Sequence, residues 1–591
     1  KSRLVEVLGA LRPDAKAEAR RMRQQGRGSS KDPDDVVFGS ADGLDLGDSG
    51  TSKGRNLLLY LFATSYWSVA TGGEMPKKPK LTIETDVEWK NWHQTSGVGG
   101  QCSRVYTPHN LWEDGTEPAR KKFRPGLEGL RTIVRTARRN SKRVRAHGSS
   151  WSLSDAPFSK DSVVNTARLT DWWIGLRSEE MVESARYRDR MDRLVWCQCG
   201  VPIKTLNAHL EDRGLSLPTT GASNGQTFVG AMSTGTHGAA HSVGSIQDYV
   251  LGLHLIDGGG NDIWLERESK PVMSPEFADY LGGELRRDDQ LFRAAVVSFG
   301  SFGLIHAAMF EAEPLYFLER HVERFDVADI RGCAGTLDIG DLDCREGDEL
   351  PFHFEIVINP YRRNSGERGA FVRYMYKDTS ARPLDRSEDR DVVEQIRSED
   401  LLSIIGEMSD AVPSAIPSVL ENQLEQSIPT TDAPVVGTHG QQFGNVSLSS
   451  RGTSTEIGVP LHAVDEALDA IFSTADDHAF GAPAALRYVR SSDAYLAFTK
   501  FAPITCTIEL PGIDSNRTRE GFRRIWSEFE RRDIPHTFHW GQALPKNVAW
   551  PRSAYSNGRL DRWLEAREDF LDPRGKEMFS SDFLEALGLD Q

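Results

Sequence analysis

The chain contains one stretch, from Thr219 to Gly238, built largely from glycine, small side chains and side chains that carry hydroxyl groups. Such a stretch has too little bulk for an ordinary core, and its backbone N–H groups are open to a molecule that approaches closely. An extended anion such as a dinucleotide fits this chemistry. The glycine spacing is not Gly-x-Gly-x-x-Gly, so the pattern does not indicate a Rossmann nucleotide site.

A second loop of small residues, from Val144 to Ser152, has the composition of a phosphate-binding turn. It follows a segment whose apolar residues recur at helical spacing, namely Leu127, Leu130, Ile133, Val134 and Ala137. The pattern predicts a helix, a short strand over Arg143 to Ala146, and a Gly/Ser turn whose amides wrap a phosphate. Arg145 is expected to add a charge-assisted contact.

Strands and helices that would position these loops are also visible in the sequence. Leu194 to Cys199 is typical of a strand, and a helix with Ile203 on its buried face follows it. Leu251 to Asp257 and Ile263 to Leu265 are typical of strands, and the glycine-rich turn between them favours a hairpin. A further helix is expected from about Leu560 to Phe570.

Composition limits the class of protein. A length of 591 residues favours two or more cores, and 38% hydrophobic with 27% charged residues is typical of a soluble globular protein. The net charge of −15 argues against nucleic acid or an anionic membrane as a partner. One basic cluster is interpreted as a solvated helix face, with steering of an anionic cofactor or substrate as the alternative: Arg120, Lys121, Lys122, Arg124, Arg135, Arg138, Arg139, Lys142 and Arg143.

Six cysteines in so long a chain do not indicate a disulfide framework. Cys197 and Cys199 share one face of a strand without further ligands at metal spacing, so they are interpreted as packing and no metal site is predicted. A reducing, cytoplasmic location is therefore expected, with a targeting peptide ahead of Lys1 as the open alternative. The apolar run from Leu57 to Ala70 is too short to span a bilayer.

The two loops together resemble the FAD-binding half of the vanillyl-alcohol oxidase superfamily, and the sugar-lactone and alditol oxidase branch is the most similar. The resemblance continues in collinear order to the C-terminus through these motifs: Trp89-Lys90-Asn91-Trp92, Ser298 to Ile305, His353-Phe354-Glu355 with Asn359-Pro360-Tyr361, Thr455 to Pro460, His539-Trp540-Gly541-Gln542, and Arg567 with Leu571-Asp572-Pro573 and Phe579.

The resemblance implies an α+β fold: a two-subdomain FAD-binding domain of the PCMH type and an α/β substrate (cap) domain with a mainly antiparallel sheet. The expected boundaries are a partly irregular N-terminal extension over 1–85, the FAD-binding domain over 86–314, the substrate domain over 315–555, and a C-terminal helix over 556–591 that returns to the FAD-binding domain. An acidic, helix-prone insertion near 377–431 is interpreted as a lid or as a solvated decoration.

By resemblance the cofactor is FAD, held by the two loops and one later strand. The residues expected to bind it are Arg145, Ala146, His147, Gly148, Ser149, Ser150, Trp151, Ser152, Thr220, Gly221, Ala222, Gln226, Gly230, Ser233, Thr234, Gly235, Thr236, His237, Gly238 and Ile305. Many relatives carry a histidine bonded covalently to the flavin where this chain has Trp151. Because an indole lacks a suitable nucleophilic nitrogen, the FAD is expected to be non-covalent, with His147 as the alternative attachment point.

Four residues are expected to be catalytic by resemblance: Glu456, Arg487, His539 and Gln542. Glu456 matches an acidic position of the substrate pocket, although a strand glutamate is more often solvent-facing. Arg487 is either paired at a strand edge or directed into the pocket, and His539 either supports the flavin, acts as the base or braces its own turn. The chain departs from the family at Gly458, where relatives commonly have arginine.

The second departure is Gln542, where relatives have a lysine close to the flavin N1. Glutamine keeps a donor but loses the charge, which Lys546 or Arg487 is expected to restore. The expected function is an FAD-dependent oxidoreductase that oxidises a CH–OH group of an alcohol, polyol or sugar lactone, with hydride transfer to flavin N5 and oxygen reduced to hydrogen peroxide. The alternatives are a less polar substrate such as a steroid-like alcohol or a secondary metabolite, a dehydrogenase, or a flavin-binding protein whose catalysis has decayed.

Overall fold

The computed structural model describes residues 77–591 except 114, 116–120, 340–341, 343–349, 364, 385–409 and 445–450. The expected N-terminal extension before residue 77, with its apolar run, and the middle of the 377–431 insertion lie outside the described residues. Residues 78–591 form one compact unit, and its strands lie mainly in three sheets of four, six and eight strands.

The four-stranded sheet lies at the beginning of the described chain. Its strands are β1 (Pro79–Trp89), β2 (Gly100–Trp112), β3 (Val144–His147) and β4 (Ser162–Asn165). The order is β1-β2-β4-β3, with β1 antiparallel to β2 and with β2, β4 and β3 parallel. Strand β1 begins ahead of residue 86, at which the FAD-binding domain was expected to begin. Strand β3 ends at His147, directly before the first small-residue loop.

Helix α1 (Arg124–Arg139) is the helix that the apolar spacing predicts, and it packs on the four-stranded sheet. Pro125 lies in its first turn, where a fixed φ suits a helix start. The predicted apolar face, from Leu127 to Ala137, is buried. Arg138 and Arg139 lie in the last turn, where positive charge interacts favourably with the helix dipole.

The six-stranded sheet forms the second subdomain. Its strands are β5 (Trp172–Ile174), β6 (Leu194–Gln198), β8 (Val250–Ile256), β9 (Asp262–Glu266), β10 (Glu284–Arg287) and β11 (Leu304–Glu311), in the order β10-β9-β8-β11-β6-β5. The predicted hairpin is confirmed, because β8 and β9 pair antiparallel across the glycine-rich turn. The helices here are α2 (Ile203–Glu211), α3 (Phe228–Thr234), α4 (Pro275–Leu281) and α5 (Asp289–Ala295). A two-stranded pair, β7 (Leu215–Ser216) with β12 (Glu313–Pro314), completes this half.

The eight-stranded sheet is antiparallel throughout, which confirms the mainly antiparallel cap sheet of an α+β fold. Its strands are β13 (Phe317–Asp326), β14 (His353–Arg362), β15 (Arg368–Asp378), β16 (Val435–Thr438), β17 (Gly452–Pro460), β18 (Ala484–Arg490), β19 (Ile504–Ile513) and β20 (Thr537–Phe538), in the order β16-β13-β15-β14-β18-β19-β17-β20. The helices in this region are α6 (Val327–Thr336), α7 (Ile416–Ser427), α8 (His439–Gln442), α9 (Val464–Asp477) and α10 (Asn516–Arg531). The described chain also contains short 3-10 helices at Ser178–Glu180, Arg188–Arg193, Ile246–Tyr249, Pro413–Ala415 and Leu461–Ala463.

The C-terminal segment returns to the FAD-binding half. It contains α11 (Ala549–Ala554), α12 (Arg559–Phe570), α13 (Pro573–Met578) and α14 (Asp582–Leu587). On α12, Trp563 Nε1 donates to the carbonyl of Ala294 at 3.1 Å, and Arg567 Nε donates to the carbonyl of Ser301 at 3.1 Å. The helix that the sequence predicts therefore packs where the resemblance implies.

Several members of the basic cluster pair with acidic residues instead of lying bare in solvent. Arg138 pairs with Asp572 and Arg143 with Glu585, both in the C-terminal segment. Lys160 nearby also pairs with this segment. Of the helices in the described ranges, none is long and apolar enough to cross a membrane. The same ranges contain no group of three His, Cys, Asp or Glu side chains arranged to hold a metal ion.

Candidate active site

A cavity of about 680 Å³ lies between the small-residue loops and one face of the eight-stranded sheet. All four residues predicted to be catalytic line it. Most of the predicted cofactor-binding residues line it as well: Ala146, His147, Gly148, Ser149, Ser150, Trp151, Ser152, Gly221, Ala222, Gln226, Gly230, Ser233, Thr234, Thr236, His237 and Ile305. Four others, Arg145, Thr220, Gly235 and Gly238, lie outside the lining.

The two loops touch each other, and glycine makes that contact possible. A Cβ atom on Gly148 would overlap the side chain of Thr227, and one on Gly225 would overlap the indole of Trp151. Each loop therefore carries a glycine where the other one approaches. Residues 74 and 79 positions apart in the chain are thus in contact in one wall of the cavity.

Backbone amides along both loops remain without acceptors. The N–H groups from Gly148 to Ser152 and from Gly221 to Thr227 donate no hydrogen bond to any described residue. Ser150 has φ +56°, in the left-handed region, which turns successive amides to one side. An amide N–H that is shielded from water and lacks an acceptor costs free energy, and a polyanionic ligand would supply acceptors. These two runs of amides are therefore suited to such a ligand.

Arg145 shapes the first loop from behind it. Its guanidinium donates to the carbonyls of Ala156 at 2.7 and 3.0 Å and of Phe579 at 3.0 Å, and it also contacts the carbonyl of Phe299. Burial lowers its pKa to about 9, so the group remains charged at neutral pH. With its donors directed to carbonyls and its side chain outside the cavity lining, Arg145 braces the loop where the sequence suggested a phosphate contact.

His147 and Trp151 lie at the same end of the cavity. His147 Nδ1 is 2.8 Å from Ser150 Oγ, a hydrogen bond inside the turn, and burial lowers the His147 pKa to about 4. The indole of Trp151 stacks on Trp92 with ring centroids 5.6 Å apart and planes 6° apart. His93 meets the Trp151 ring edge-on at 5.3 Å. These contacts hold the indole as one fixed wall of the cavity.

The hydroxyls of Ser233 and Thr234 bond to their own helix. Ser233 Oγ donates to the carbonyl of Val229 at 2.8 Å, and Thr234 Oγ1 donates to that of Gly230 at 3.3 Å. Their oxygens therefore keep acceptor capacity, but their protons are already used. Gln226 Oε1 is buried and has no partner among the described residues.

His237 and Glu456 form a buried pair across the cavity. His237 Nε2 lies 3.0 Å from Glu456 Oε1, and the other ring nitrogen, Nδ1, lies 2.7 Å from the carbonyl oxygen of Gly238. Burial by itself would raise the Glu456 pKa, but His237, with His539 and Arg487 nearby, lowers it to about 2. Glu456 is therefore a carboxylate at neutral pH.

His539 is held in one tautomer by the backbone. The N–H of Gly541 donates to His539 Nδ1 at 3.0 Å, so a neutral ring carries its proton on Nε2. Burial lowers the His539 pKa to about 4, which keeps the ring neutral. Nε2 has no hydrogen-bond partner among the described residues, and the side chain lines the cavity. The arrangement offers one N–H donor to a ligand.

Gln542 uses its donors on carboxylates. Its Nε2 donates to Glu456 Oε2 at 3.2 Å and to Glu509 Oε1 at 3.0 Å, and its Oε1 is buried without a partner in the described chain. Both N–H bonds of the amide are therefore engaged by protein. The sequence predicted that this donor would lie close to the flavin N1, and in the structure it joins two strands of the cap sheet instead.

Arg487 lies in a row of charges on the cap sheet. Its Nε donates to Glu355 Oε1 at 2.8 Å and its Nη1 donates to Glu509 Oε2 at 2.5 Å, while Arg373 Nη1 donates to Glu355 Oε2 at 2.9 Å. Burial would raise the Glu355 pKa, but the two guanidinium groups outweigh it and lower the pKa to about 2. Arg487 is both paired and exposed to the cavity, so the two alternatives of the sequence analysis coexist.

Three charged lining residues on strands of the cap sheet were not among the predicted site residues: Glu355, Arg373 and Glu509. Each is a charged residue between strand-like apolar neighbours, the signal that had singled out Arg487. That signal marks such residues as candidates, but it does not show which of them face the cavity. Of the proposed substitutes for the missing lysine, Arg487 lines the cavity, whereas Lys546 pairs with Asp155 outside its lining.

Comparison with known proteins follows the same division of the chain. A family model described as an FAD binding domain matches residues 127–266, which include both loops. A putative D-arabinono-1,4-lactone oxidase of Neurospora crassa is 30% identical over 189 residues, 32% of this chain and 28% of that protein. An L-gulono-1,4-lactone dehydrogenase of Mycobacterium tuberculosis is 24% identical over 463 residues, 78% of this chain and 94% of that protein. The chain thus spans less than a third of the Neurospora relative and nearly all of the mycobacterial one.

A solved structure of a solvent-stable cholesterol oxidase superposes with a TM-score of 0.58 at 14% identity, over 86% of this chain and 98% of that one. At that identity the likeness is one of fold. The matched FAD binding domain, the lactone oxidase and dehydrogenase relatives and the fold all support the resemblance to the vanillyl-alcohol oxidase superfamily and its sugar-1,4-lactone oxidase branch.

FAD, the cofactor of this superfamily, fits the first wall of the cavity. Two runs of backbone amides without acceptors, brought together by Gly148 and Gly225, supply donors for a diphosphate. Trp151 lies against this wall at the position where many superfamily members carry the linking histidine. The family arginine has no counterpart at Gly458, because even a Cβ there would lie 2.7 Å from Thr537 Oγ1 and 2.9 Å from the carbonyl of Phe498.

Proposed function

We propose that this chain is an FAD-dependent oxidoreductase that oxidises a CH–OH group of a small-molecule alcohol, polyol or sugar lactone, with molecular oxygen as acceptor and hydrogen peroxide as product. One observation carries the proposal. A single cavity joins two loops of acceptor-free amides to a buried set of carboxylates, guanidinium groups and histidines. The first wall suits a dinucleotide, and the second suits a polar substrate beside it.

The division of labour between domains is part of the proposal. We assign FAD binding to residues 86–314, substrate binding to 315–555 with the 377–431 insertion, and closure of the FAD-binding half to 556–591. In support, the six-stranded sheet has its last strand at Leu304–Glu311, and the cap sheet begins at Phe317. Bound FAD would supply the acceptor, at N5, for the hydride that leaves the carbinol carbon.

His539 and Glu456 are proposed to handle the hydroxyl group of the substrate. The Nε2–H of His539 donates to the carbinol oxygen and fixes its position. The Glu456 carboxylate receives the hydroxyl proton as the hydride leaves. Its low pKa makes it a weak base, but a weak base is sufficient because the O–H bond becomes strongly acidic as the carbonyl forms. The substrate thus loses one hydride and one proton, two electrons in all.

The flavin is proposed to be dissociable. Trp151 offers no nucleophile at the position of the family's linking histidine, and His147 Nδ1 is already hydrogen-bonded to Ser150. A non-covalent cofactor depends on amide contacts and packing for its affinity, which gives the glycine contacts between the loops a direct effect on retention of FAD.

Anaerobic mixing tests the proposal. The yellow holoprotein is combined with a panel of alcohols, polyols and sugar lactones, and flavin absorbance is followed before and after air is admitted. Bleaching by a panel member, followed by reoxidation with stoichiometric peroxide, is the expected result. Bleaching without peroxide on admission of air identifies a dehydrogenase. A flavin that stays oxidised with every compound contradicts the proposed reaction.

A further inference from the structure

The cavity face of the cap sheet changes character along its strands. On β14, Glu355 and Val357 point to the same face because side chains alternate along a strand. Glu355 pairs in register with Arg373 and Arg487, whereas Val357 pairs with Ala485. Two residues further along β14, the charged side chains are therefore followed by the apolar side chains of Val357 and Ala485.

Helix α7 faces this apolar part. Leu420 and Leu424 are four residues apart on one side of the helix, Ile428 directly follows its last residue, and all three line the cavity. They are buried, with relative exposures of 4%, 4% and 8%. Gln423 and Ser427, each three residues after one of the two leucines, also line the cavity and are exposed.

Polar contacts fix α7 in this orientation. Asn359 Nδ2 on β14 donates to Glu421 Oε2 at 2.5 Å, and Arg324 Nη1 on β13 donates to Glu425 Oε1 at 2.7 Å. Arg324 also pairs with Glu421. The helix is therefore tied to the sheet by its charged side while its leucines face the cavity. Part of the predicted 377–431 insertion forms a wall of the cavity.

We infer that the substrate of this enzyme is an alcohol with a hydrocarbon substituent, which lies against Leu420, Leu424 and Ile428 while its carbinol lies among the charged residues. The inference rests on the proposed function and narrows its substrate class. Hydrocarbon buried against these side chains gains free energy in proportion to the area removed from water. A hydroxyl group placed against these three side chains loses its hydrogen bonds to water and gains no partner from them.

The test compares substrates that have the same carbon skeleton. Hexane-1,2-diol and a hexitol share six carbons and differ only in the hydroxyl groups beyond the reacting end. In the same way, 2-hydroxy-4-alkyl lactones are paired with 2-hydroxy lactones that carry a hydroxyalkyl group at C4, so that every compound keeps a CH–OH group to be oxidised. The rate of anaerobic flavin reduction is measured at low substrate concentration. The compounds with the hydrocarbon tail are expected to react faster, with roughly a threefold gain for each added methylene group.

Two variants of α7 test whether the rate gain per methylene group depends on the side chains of this helix that line the cavity. Leu424→Ser on the cavity side is expected to reduce the gain per methylene group, whereas Val419→Ser, at a residue 39% exposed on the same helix, keeps it. Thermal melting of both variants shows that each is folded. Equal or faster reduction by the hydroxylated partners, or an unchanged gain in folded Leu424→Ser, overturns the inference and leaves the proposed oxidation intact. Failure of every compound to reduce the flavin counts against the proposed function itself.

Discussion

His237 places both of its ring nitrogens against acceptors, with Nε2 at 3.0 Å from Glu456 Oε1 and Nδ1 at 2.7 Å from the carbonyl oxygen of Gly238. A carbonyl only accepts, so Nδ1 carries a proton. Nε2 faces the Glu456 carboxylate, which is ionised and also only accepts. His539 differs, because its Nδ1 accepts from the N–H of Gly541. The two histidines of this cavity therefore present their Nδ1 atoms to opposite kinds of partner.

Removing His237 should cost the protein stability. His237→Gln removes the imidazole that lies 3.0 Å from Glu456 Oε1, while Arg487 Nη1 remains 3.7 Å from the same oxygen, so the free energy of unfolding is expected to fall by about 1–3 kcal/mol. The double variant His237→Gln/Glu456→Gln should recover part of that loss. Urea unfolding of the wild type, of both single variants and of the double variant gives the coupling free energy between the two residues. Glu528→Gln, which breaks an exposed ion pair with Arg531, is the matched control and should change little. Additive losses would contradict the pairing.

The same pair sets a pH dependence of stability. The Glu456 pKa is about 2, below its ordinary value of 4.5, so the stability it contributes is fully present above pH 4.5. That contribution is lost as the pH falls from 4.5 towards 2, because the unfolded chain takes up the proton first. Glu456→Gln should flatten the unfolding free energy over that interval. A parallel curve for wild type and variant would contradict the assignment.

His539 should act as a donor that does not titrate near neutrality. Since its pKa is about 4, kcat/KM should show no inflection from this residue between pH 5 and 8. His539→Ala should lower kcat by about 100-fold, the usual cost of removing one positioned donor. His539→Asn, which keeps an N–H donor, should be less impaired. Equal losses in both variants would assign His539 to bracing its turn.

Acid precipitation should release yellow FAD into the supernatant. We expect this because the indole of Trp151 cannot form a covalent bond to the flavin ring. Absorbance of the supernatant and the pellet after centrifugation measures the partition. Flavin that stays with the pellet would show a covalent link, and peptide mapping would then report whether His147 carries it.

The contact between the loops should control affinity for FAD. Gly225→Ala places a methyl group where the Trp151 ring lies, so the loops must separate and the dissociation constant of FAD should rise at least tenfold. Gly332→Ala is the matched control: it lies within helix α6, and a Cβ there meets nothing within 4 Å. Fluorescence titration of the apoproteins measures both constants. Equal constants would remove the contact from the cofactor site.

Gln542→Lys should raise the reduction potential of the bound flavin. A lysine there adds positive charge beside Glu456 and Glu509, and this charge would stabilise the reduced flavin. Stabilisation by about 1.4 kcal/mol raises the potential of a two-electron couple by about 30 mV. Gln542→Met, which removes the hydrogen bonds without adding charge, is the control. Redox titration against dyes measures the potentials, and an unchanged value in the lysine variant would place residue 542 away from the flavin.

The sequence predicted the elements that are determined by residues close together in the chain. Helix α1 follows from its apolar spacing, and the β8–β9 hairpin follows from a glycine-rich turn between two strand-like runs. The two loops could be recognised because a long run of small residues has too little bulk for an ordinary core and favours a site where a ligand approaches the backbone. Their assignment to FAD contacts, residue by residue, stays a prediction.

The charged row was harder to predict because its cause is not local. Glu355 and Arg487 are 132 positions apart, and only antiparallel register places them side by side. A glutamate on a strand has the same local sequence whether it faces solvent or a cavity. Gln542 shows the same limit, since nothing near it in the chain indicates that two carboxylates would engage its amide.

Arg145 donates to the carbonyl of Phe579, and Arg567 donates to that of Ser301, so the FAD-binding half is closed by residues that the ribosome adds after the entire substrate domain. The cradle for the dinucleotide is therefore complete only when the C-terminal segment through residue 579 packs against it. We expect uptake of the coenzyme to depend on this segment, although a whole domain separates it from the loops in the chain.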